Sequence, residues 1–205
     1  MIVIIDYGMG NLGSILNMLK RVGASAKVSS DAKEIENAGK LILPGVGAFD
    51  AGMKRLTELG LIGLLNDKVL NRKTPTLAVC LGMQLLMKRS EEGALPGLGW
   101  IDGETIRFRF GPKQTSLKIP HMDWNTITLR KEGVLFKGMD HAPRFYFVHS
   151  YHVVCHQLDD VVATTEHGYE FVSALEHANI MGVQFHPEKS HRFGMKVYKN
   201  FMELA

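Results

Sequence analysis

Several stretches of this chain pair reactive residue types with spacings that let them act together. In TLAVCLGMQLL, residues 76–86, an apolar run with strand character ends at Cys80, and Leu81-Gly82 lead straight into a helical pattern. A strand–nucleophile–helix turn exposes its central side chain at the carboxyl edge of a sheet. The helix that follows offers free N–H groups and the positive end of its dipole, which favour thiolate over thiol. The N–H of Leu81 would point into the same space as a donor to a developing oxyanion. Taken alone, the turn also suits a buried apolar cysteine.

A thiolate nucleophile needs a partner that returns a proton to its leaving group. GVQFHPEKS, residues 182–190, supplies His186 and Glu188 two positions apart, on one face of an extended chain. A carboxylate beside an imidazole sets its tautomer and stabilises the imidazolium. The strand expected over residues 180–185 carries His186 to the sheet edge of Cys80. In LPGVGAF, residues 43–49, a strand end runs into a glycine turn, whose Val46 and Gly47 N–H groups would complete an oxyanion hole.

GMGNLG, residues 8–13, matches G-x-G-x-x-G, and Asp31 lies roughly where a ribose-binding carboxylate would stand. That pattern admits a dinucleotide-binding oxidoreductase. Asp6 and Tyr7 stand where a pyrophosphate would approach, and the carboxylate would repel it. Glycines at a tight strand-to-helix turn have a structural use of their own. The turn is the preferred reading.

The elements that must position these residues follow a β-α-β-α order. Residues 2–6, 27–29, 40–43 and 76–79 read as strands. Between them come a helix from Leu12 to Val22 stopped by Gly23, a small helix around Ile35, and one or two helices over 50–72, broken near Gly60 and Gly63. A helix is expected over 83–88. Seven strand-like runs then crowd together at 104–108, 125–129, 145–148, 151–154, 161–165, 171–175 and 180–185, before a final helix over 193–204. This order predicts a single mixed α/β domain over 1–205. Its central sheet is mostly parallel and flavodoxin-like, with helices on both faces and antiparallel additions in the second half.

The chain has 205 residues, 45% hydrophobic and 22% charged, which suits a globular protein. No apolar run reaches the roughly 20 residues of a membrane span, and MIVIIDYG lacks a basic leader, so a cytoplasmic protein is expected. Two cysteines are too few for a disulfide framework. The net charge is +3. The cluster Lys189, His191, Arg192, Lys196 and Lys199 reads as a solvated helix face, with no aromatic platform for nucleic acid. The nine histidines show no metal-ligand spacing, and no cofactor is expected.

CLGMQLL with HPEKS resembles the class I (triad) glutamine amidotransferases, which hydrolyse the side-chain amide of glutamine and hand on ammonia. IIDYGMGNL, LPGVGAF, IPHMDWN and YFVHSYH resemble, more narrowly, the glutaminase subunits of imidazole glycerol phosphate synthases. The resemblance implies a γ-glutamyl thioester on Cys80, with His186 as base and acid and Glu188 orienting it. It implies glutamine contacts from Gly47, Gln84 and Glu92 and from the backbone around His149, Ser150 and Tyr151. The oxyanion donors would be the N–H of Leu81 and, after a backbone rearrangement, of Val46. Asn11, Asp123, Tyr146 and Lys189 match positions at the partner face, where ammonia leaves. The implied partner is the synthase (cyclase) subunit HisF in a heterodimer. A related branch serves sugar amidotransferases of surface-polysaccharide pathways and offers the alternative partner. Two positions depart from the usual text: Ala78-Val79 precede Cys80 in place of Gly-Ile, and Asp123 replaces a glycine. A carboxylate at 123 is bulkier, charged and less able to adopt positive φ.

Overall fold

The computed structural model describes residues 1–112, 117–140 and 142–204. The strands are β1 (Ile2–Ile5), β2 (Ala26–Ser29), β3 (Lys40–Leu43), β4 (Thr76–Val79), β5 (Arg89–Ser90), β6 (Gly103–Arg107), β7 (His121–Thr126), β8 (Thr128–Leu129), β9 (Arg144–His149), β10 (Tyr151–Cys155), β11 (Val161–Glu166), β12 (Glu170–His177) and β13 (Ile180–Val183). The helices are α1 (Leu12–Arg21), α2 (Ala32–Glu36), α3 (Phe49–Glu58), α4 (Leu61–Asn66), α5 (Leu81–Leu85) and α6 (His191–Met202).

The centre of the sheet is the ladder β2-β1-β3-β4-β13, parallel throughout. Beyond β13 the order continues β12-β10-β6-β5, with antiparallel pairs up to β6. Strands β11 and β8 add to β12 as a side branch, and β7 and β9 form a separate antiparallel pair.

Strand β1 shows why helices cover both faces. Side chains alternate along a strand, and all four residues of IVII are buried. Ile2 and Ile4 enter one core with Ile15, Met18 and Leu19 of α1 and Val197, Tyr198 and Phe201 of α6. Val3 and Ile5 enter the other, with Ile35 of α2, Phe49, Met53 and Leu56 of α3, and Leu81 and Leu85 of α5. Each such side chain contributes about 1.5–3 kcal/mol by leaving water. An apolar run without alternation is the mark of a strand covered twice.

Several boundaries differ from the sequence expectation. Gly60, at φ +65, separates α3 from α4, but Gly63 lies inside α4 and breaks nothing. The helix after Cys80 begins at Leu81 rather than 83, because the nucleophile turn is its first bend. The run expected at 125–129 is two strands on different partners: β7 faces β9, while β8 joins β11. Among the described residues, no helix is long and apolar enough to cross a membrane.

Candidate active site

Strands β4 and β13 lie side by side in parallel register, Val79 opposite Val183. The chain leaving each therefore arrives at one sheet edge. Cys80 follows β4 at φ 54°, ψ −111°, a backbone conformation that costs an ordinary L residue of order 1–3 kcal/mol. Surrounding contacts enforce it. The Cys80 N–H donates to Val183 O at 2.8 Å, and the Cys80 carbonyl accepts from Gln84 N at 3.2 Å. Gly82 is required by packing: a Cβ there would lie 2.0 Å from the Leu43 carbonyl oxygen. Cys80 is 6% exposed. Leu81 opens α5, where backbone N–H groups have no intrahelical acceptor. The other cysteine, Cys155, has its thiol pushed up to about 12 by burial and then by the charge of Asp160. It packs in the core, away from the cleft of Cys80.

His186 is anchored by its own N–H, which donates to Tyr146 O at 2.9 Å. Its Nδ1 lies 2.8 Å from Glu188 Oε1, and both side chains are 1% exposed. Because the carboxylate accepts, Nδ1 carries the hydrogen and Nε2 is the working nitrogen. Nε2 is buried on the side of Cys80. Burial opposes the charged imidazolium, but the charge of Cys80 and a hydrogen bond to it, followed by the hydrogen bond and charge of Glu188, outweigh it and raise His186 to about 10. Burial likewise pushes Glu188 up, yet the bonds from His186 and Asn11 hold it below its ordinary value.

These groups open on a cleft of about 260 Å³ lined by Val46, Gly47, Cys80, Leu81, Gln84, Glu92, Pro120, Val148, His149, Ser150, Tyr151 and His186. Both expected oxyanion residues and all six expected glutamine contacts line it. Glu92 Oε2 accepts from Phe49 N at 2.9 Å, so it also caps α3 where the 43–49 turn ends. Its carboxyl is raised by burial, an effect that the Phe49 N–H partly offsets. Val46 is 45% exposed at the mouth. A larger cavity, about 520 Å³, lies against Val153, Cys155 and Phe171 and holds none of the three triad-type residues. Among the described residues, no group of three His, Cys, Asp or Glu is placed to hold a metal ion.

The residues expected at the partner face do not line the cleft. Asn11 lies behind it, with Nδ2 donating to Glu188 Oε1 at 2.8 Å. The Lys189 ammonium sits over the Tyr146 ring, 5.4 Å from its centroid. Asp123 is exposed on β7, opposite Phe147, and accepts from Trp124 N at 2.7 Å. Position 123 is ordinary strand, outside the positive-φ positions, so the carboxylate meets no backbone penalty there.

The glycine motif has a mechanical purpose. Gly10, at φ +114, packs against Pro44, where a Cβ would meet Pro44 Cβ at 2.8 Å. Tyr7, buried beneath, donates its hydroxyl to the Pro44 carbonyl. The motif thus holds the 43–49 turn from below. Asp31 is the N-cap of α2, accepting from Glu34 N at 2.9 Å. That use explains the acid without a ribose. Sequence reasoning missed Tyr7 and Gln184, whose Nε2 lies 3.7 Å from Cys80 Sγ. The only local signal for Gln184 was its place two residues before His186.

Comparison with known proteins agrees with this geometry. Residues 3–204 match the family model described as glutamine amidotransferase class-I. The chain is 52% identical over 205 residues to the imidazole glycerol phosphate synthase subunit HisH 2 of Pseudomonas aeruginosa, covering 100% of both chains. It is 53% identical to the protein of the same name from Methanococcus maripaludis, again with full coverage of both. The fold resembles that of a putative GMP synthase protein from Thermoplasma acidophilum, with TM-score 0.73, 18% identity, and coverage of 98% of this chain and 91% of that one. It also resembles PurLQS from Thermotoga maritima, with TM-score 0.70, 18% identity, and coverage of 98% and 96%. With a nucleophile turn, a carboxylate-held histidine and a matching family model over nearly all its length, the chain belongs to the class I glutamine amidotransferase family.

Proposed function

We propose that this chain is the glutaminase subunit of an imidazole glycerol phosphate synthase, releasing ammonia from glutamine for histidine biosynthesis. We assign Cys80, His186 and Glu188 as its triad. The full-length likeness to HisH subunits supports the pathway. The single observation that carries the residue roles is the 2.8 Å contact between His186 and Glu188 beside a strained Cys80.

The chemistry follows from the charges. Cys80 Sγ attacks the γ-carbonyl carbon of glutamine, and the carbonyl oxygen takes up negative charge. The N–H groups of Leu81 and, once its peptide turns inward, Val46 receive that charge. His186 enters as the imidazolium and gives its Nε2 proton to the departing nitrogen, so ammonia leaves and a thioester remains. Acylation removes the thiolate charge that helps hold the imidazole protonated. His186 then becomes a competent base, takes a proton from water, and the hydroxyl adds to the thioester. Glutamate leaves as the sulfur departs as thiolate, and with the proton His186 took from water the thiolate–imidazolium pair is restored. Gly47, Gln84 and Glu92 and the 149–151 backbone hold the amino-acid end of the substrate.

The chain acts as one amidotransferase domain over 1–205, in the cytoplasm, with a second subunit that binds the ammonia acceptor. The partner of choice is the cyclase subunit HisF, docked over Asn11, Asp123, Tyr146 and Lys189. Ammonia is mostly ammonium at neutral pH and a poor nucleophile, so a sealed exit between subunits is chemically sensible. The test is glutamate release by the chain alone, then with HisF and its nucleotide substrate. Strong stimulation supports the assignment. Basal rates in both cases would remove HisF as partner and turn the search to the subunits of sugar amidotransferases.

A further inference from the structure

We infer that Gln184 is a positioning residue for the nucleophile: its side-chain amide donates a hydrogen bond to Cys80 Sγ and so holds and supports the thiolate. Gln184 is fully buried, and its Nε2 lies 3.7 Å from Sγ. The inference rests on Cys80 being the nucleophile, as proposed above.

The neighbours of the Gln184 amide fix which of its two ends faces the sulfur. Gln84 places its nitrogen 3.0 Å from the Tyr151 carbonyl, which only accepts. That same nitrogen lies 3.1 Å from the Gln184 amide, so the atom facing it is the Gln184 oxygen. The Gln184 NH₂ is left facing the sulfur. The Tyr151 carbonyl is itself pinned from the other side by His149 Nδ1 at 2.7 Å. His149 therefore carries its hydrogen on Nδ1, and its Nε2 accepts from His121 Nδ1 at 3.2 Å. His121 Nε2 in turn accepts from Asn125 Nδ2 at 3.2 Å. Each donor and acceptor from Asn125 to Cys80 has one consistent assignment.

A thiolate accepts a hydrogen bond more strongly than a thiol, so a fixed N–H favours the charged form. The bond also occupies one side of the sulfur and leaves the cleft side free for attack. A merely structural Gln184 would tie strands together without affecting sulfur reactivity.

The experiment compares wild type with Gln184→Met, which keeps volume and removes the donor, and with the isosteric Gln184→Glu, which keeps an oxygen for Gln84. Cys80 alkylation by iodoacetamide is followed across pH by peptide mass spectrometry, and glutaminase kcat and KM are measured with the loaded partner. The expected result is an acid limb of alkylation displaced upward by about one pH unit in both variants. It includes a kcat lowered roughly tenfold or more with KM within about twofold. Alkylation profiles that coincide with wild type in either folded variant would overturn the inference, as would a raised KM with kcat intact. The alkylation readout needs no glutamine, so it still judges Gln184 if the glutaminase assignment itself fails.

Discussion

Asn11 donates from Nδ2 to Glu188 Oε1 at 2.8 Å across 177 positions of sequence. That oxygen also receives His186 Nδ1, at the same distance. Asn11 stands at the N-cap of α1 yet makes no side-chain cap bond there. Asparagine at an N-cap ordinarily serves its own helix, for about 1 kcal/mol. Here it forgoes that bond and steadies the carboxylate that orients the histidine. A broken local rule of this kind is expected at functional sites.

Removing the carboxylate's charge tests that arrangement. Glu188→Gln is expected to lower glutaminase kcat by about 10²–10⁴, because the imidazole loses its tautomer and its charge partner. Asn11→Ala is expected to lower it by roughly tenfold with KM little changed. Steady-state kinetics of the complex checks both, and an Asn11→Ala enzyme at wild-type rate would show that the bond does nothing for catalysis.

The division of labour between subunits is tested at Cys80. Cys80→Ala is expected to abolish glutamine-dependent synthesis in the complex while synthesis from added ammonium persists, because the acceptor is bound elsewhere. Loss of both in an intact complex would refute the division.

Backbone strain at Cys80 gives a stability prediction. Glycine accepts φ 54° without the penalty an L side chain meets there. Cys80→Gly is therefore expected to be more stable than Cys80→Ala by about 1 kcal/mol. Denaturant unfolding of the two inactive variants measures the difference.

Two sets of histidines bound the useful pH range from opposite sides. His186 is raised to about 10, so the stability it contributes is fully present below its unfolded value near 6.5 and is lost as pH rises through 10. Glutaminase activity is expected to fall over the same alkaline limb, as the proton for the leaving nitrogen is lost. His121 and His152 are depressed to about 4, first by burial. The unfolded chain binds their protons more readily between about 6.5 and 4, so stability falls as pH drops through that window. Melting temperatures at pH 4.5, 7 and 10.5 should show the middle value highest.

Two glycines from different motifs should respond oppositely to alanine. Gly82→Ala drives a Cβ to 2.0 Å from backbone and is expected to cost more than about 3 kcal/mol or prevent folding. Gly13, inside α1, has open space around it, and Gly13→Ala is expected to stabilise by about 0.5–1 kcal/mol. Thermal unfolding of both separates a packing glycine from an incidental one.

Whatever depends on neighbours along the chain was legible in the letters. The β-α order of the first half, the nucleophile turn at 80–82 and the histidine–glutamate pair at 186–188 are all local patterns of period, turn chemistry and spacing. The family resemblance added Gly47, Gln84 and Glu92 through short motifs, and these residues line the cleft with Cys80. Local letters also admitted two readings of G-x-G-x-x-G with Asp31, and the contacts match the preferred structural turn: Gly10 makes room for Pro44 and Asp31 caps α2.

The shared sheet edge of Cys80 and His186 was expected from the letters, but the contacts that hold those groups were settled by tertiary packing. The parallel register of Val79 with Val183 brings Cys80 and His186 to one edge. The same register sets Gln184 against the sulfur, while the packing of the segment after β1 sets Asn11 against Glu188 and Tyr7 under the turn at Pro44. None of these contacts leaves a periodic trace, because hydrogen bonds between side chains far apart in sequence impose no spacing on either segment. They follow from how strands pair and helices stack, a result of burying both faces of the sheet at once.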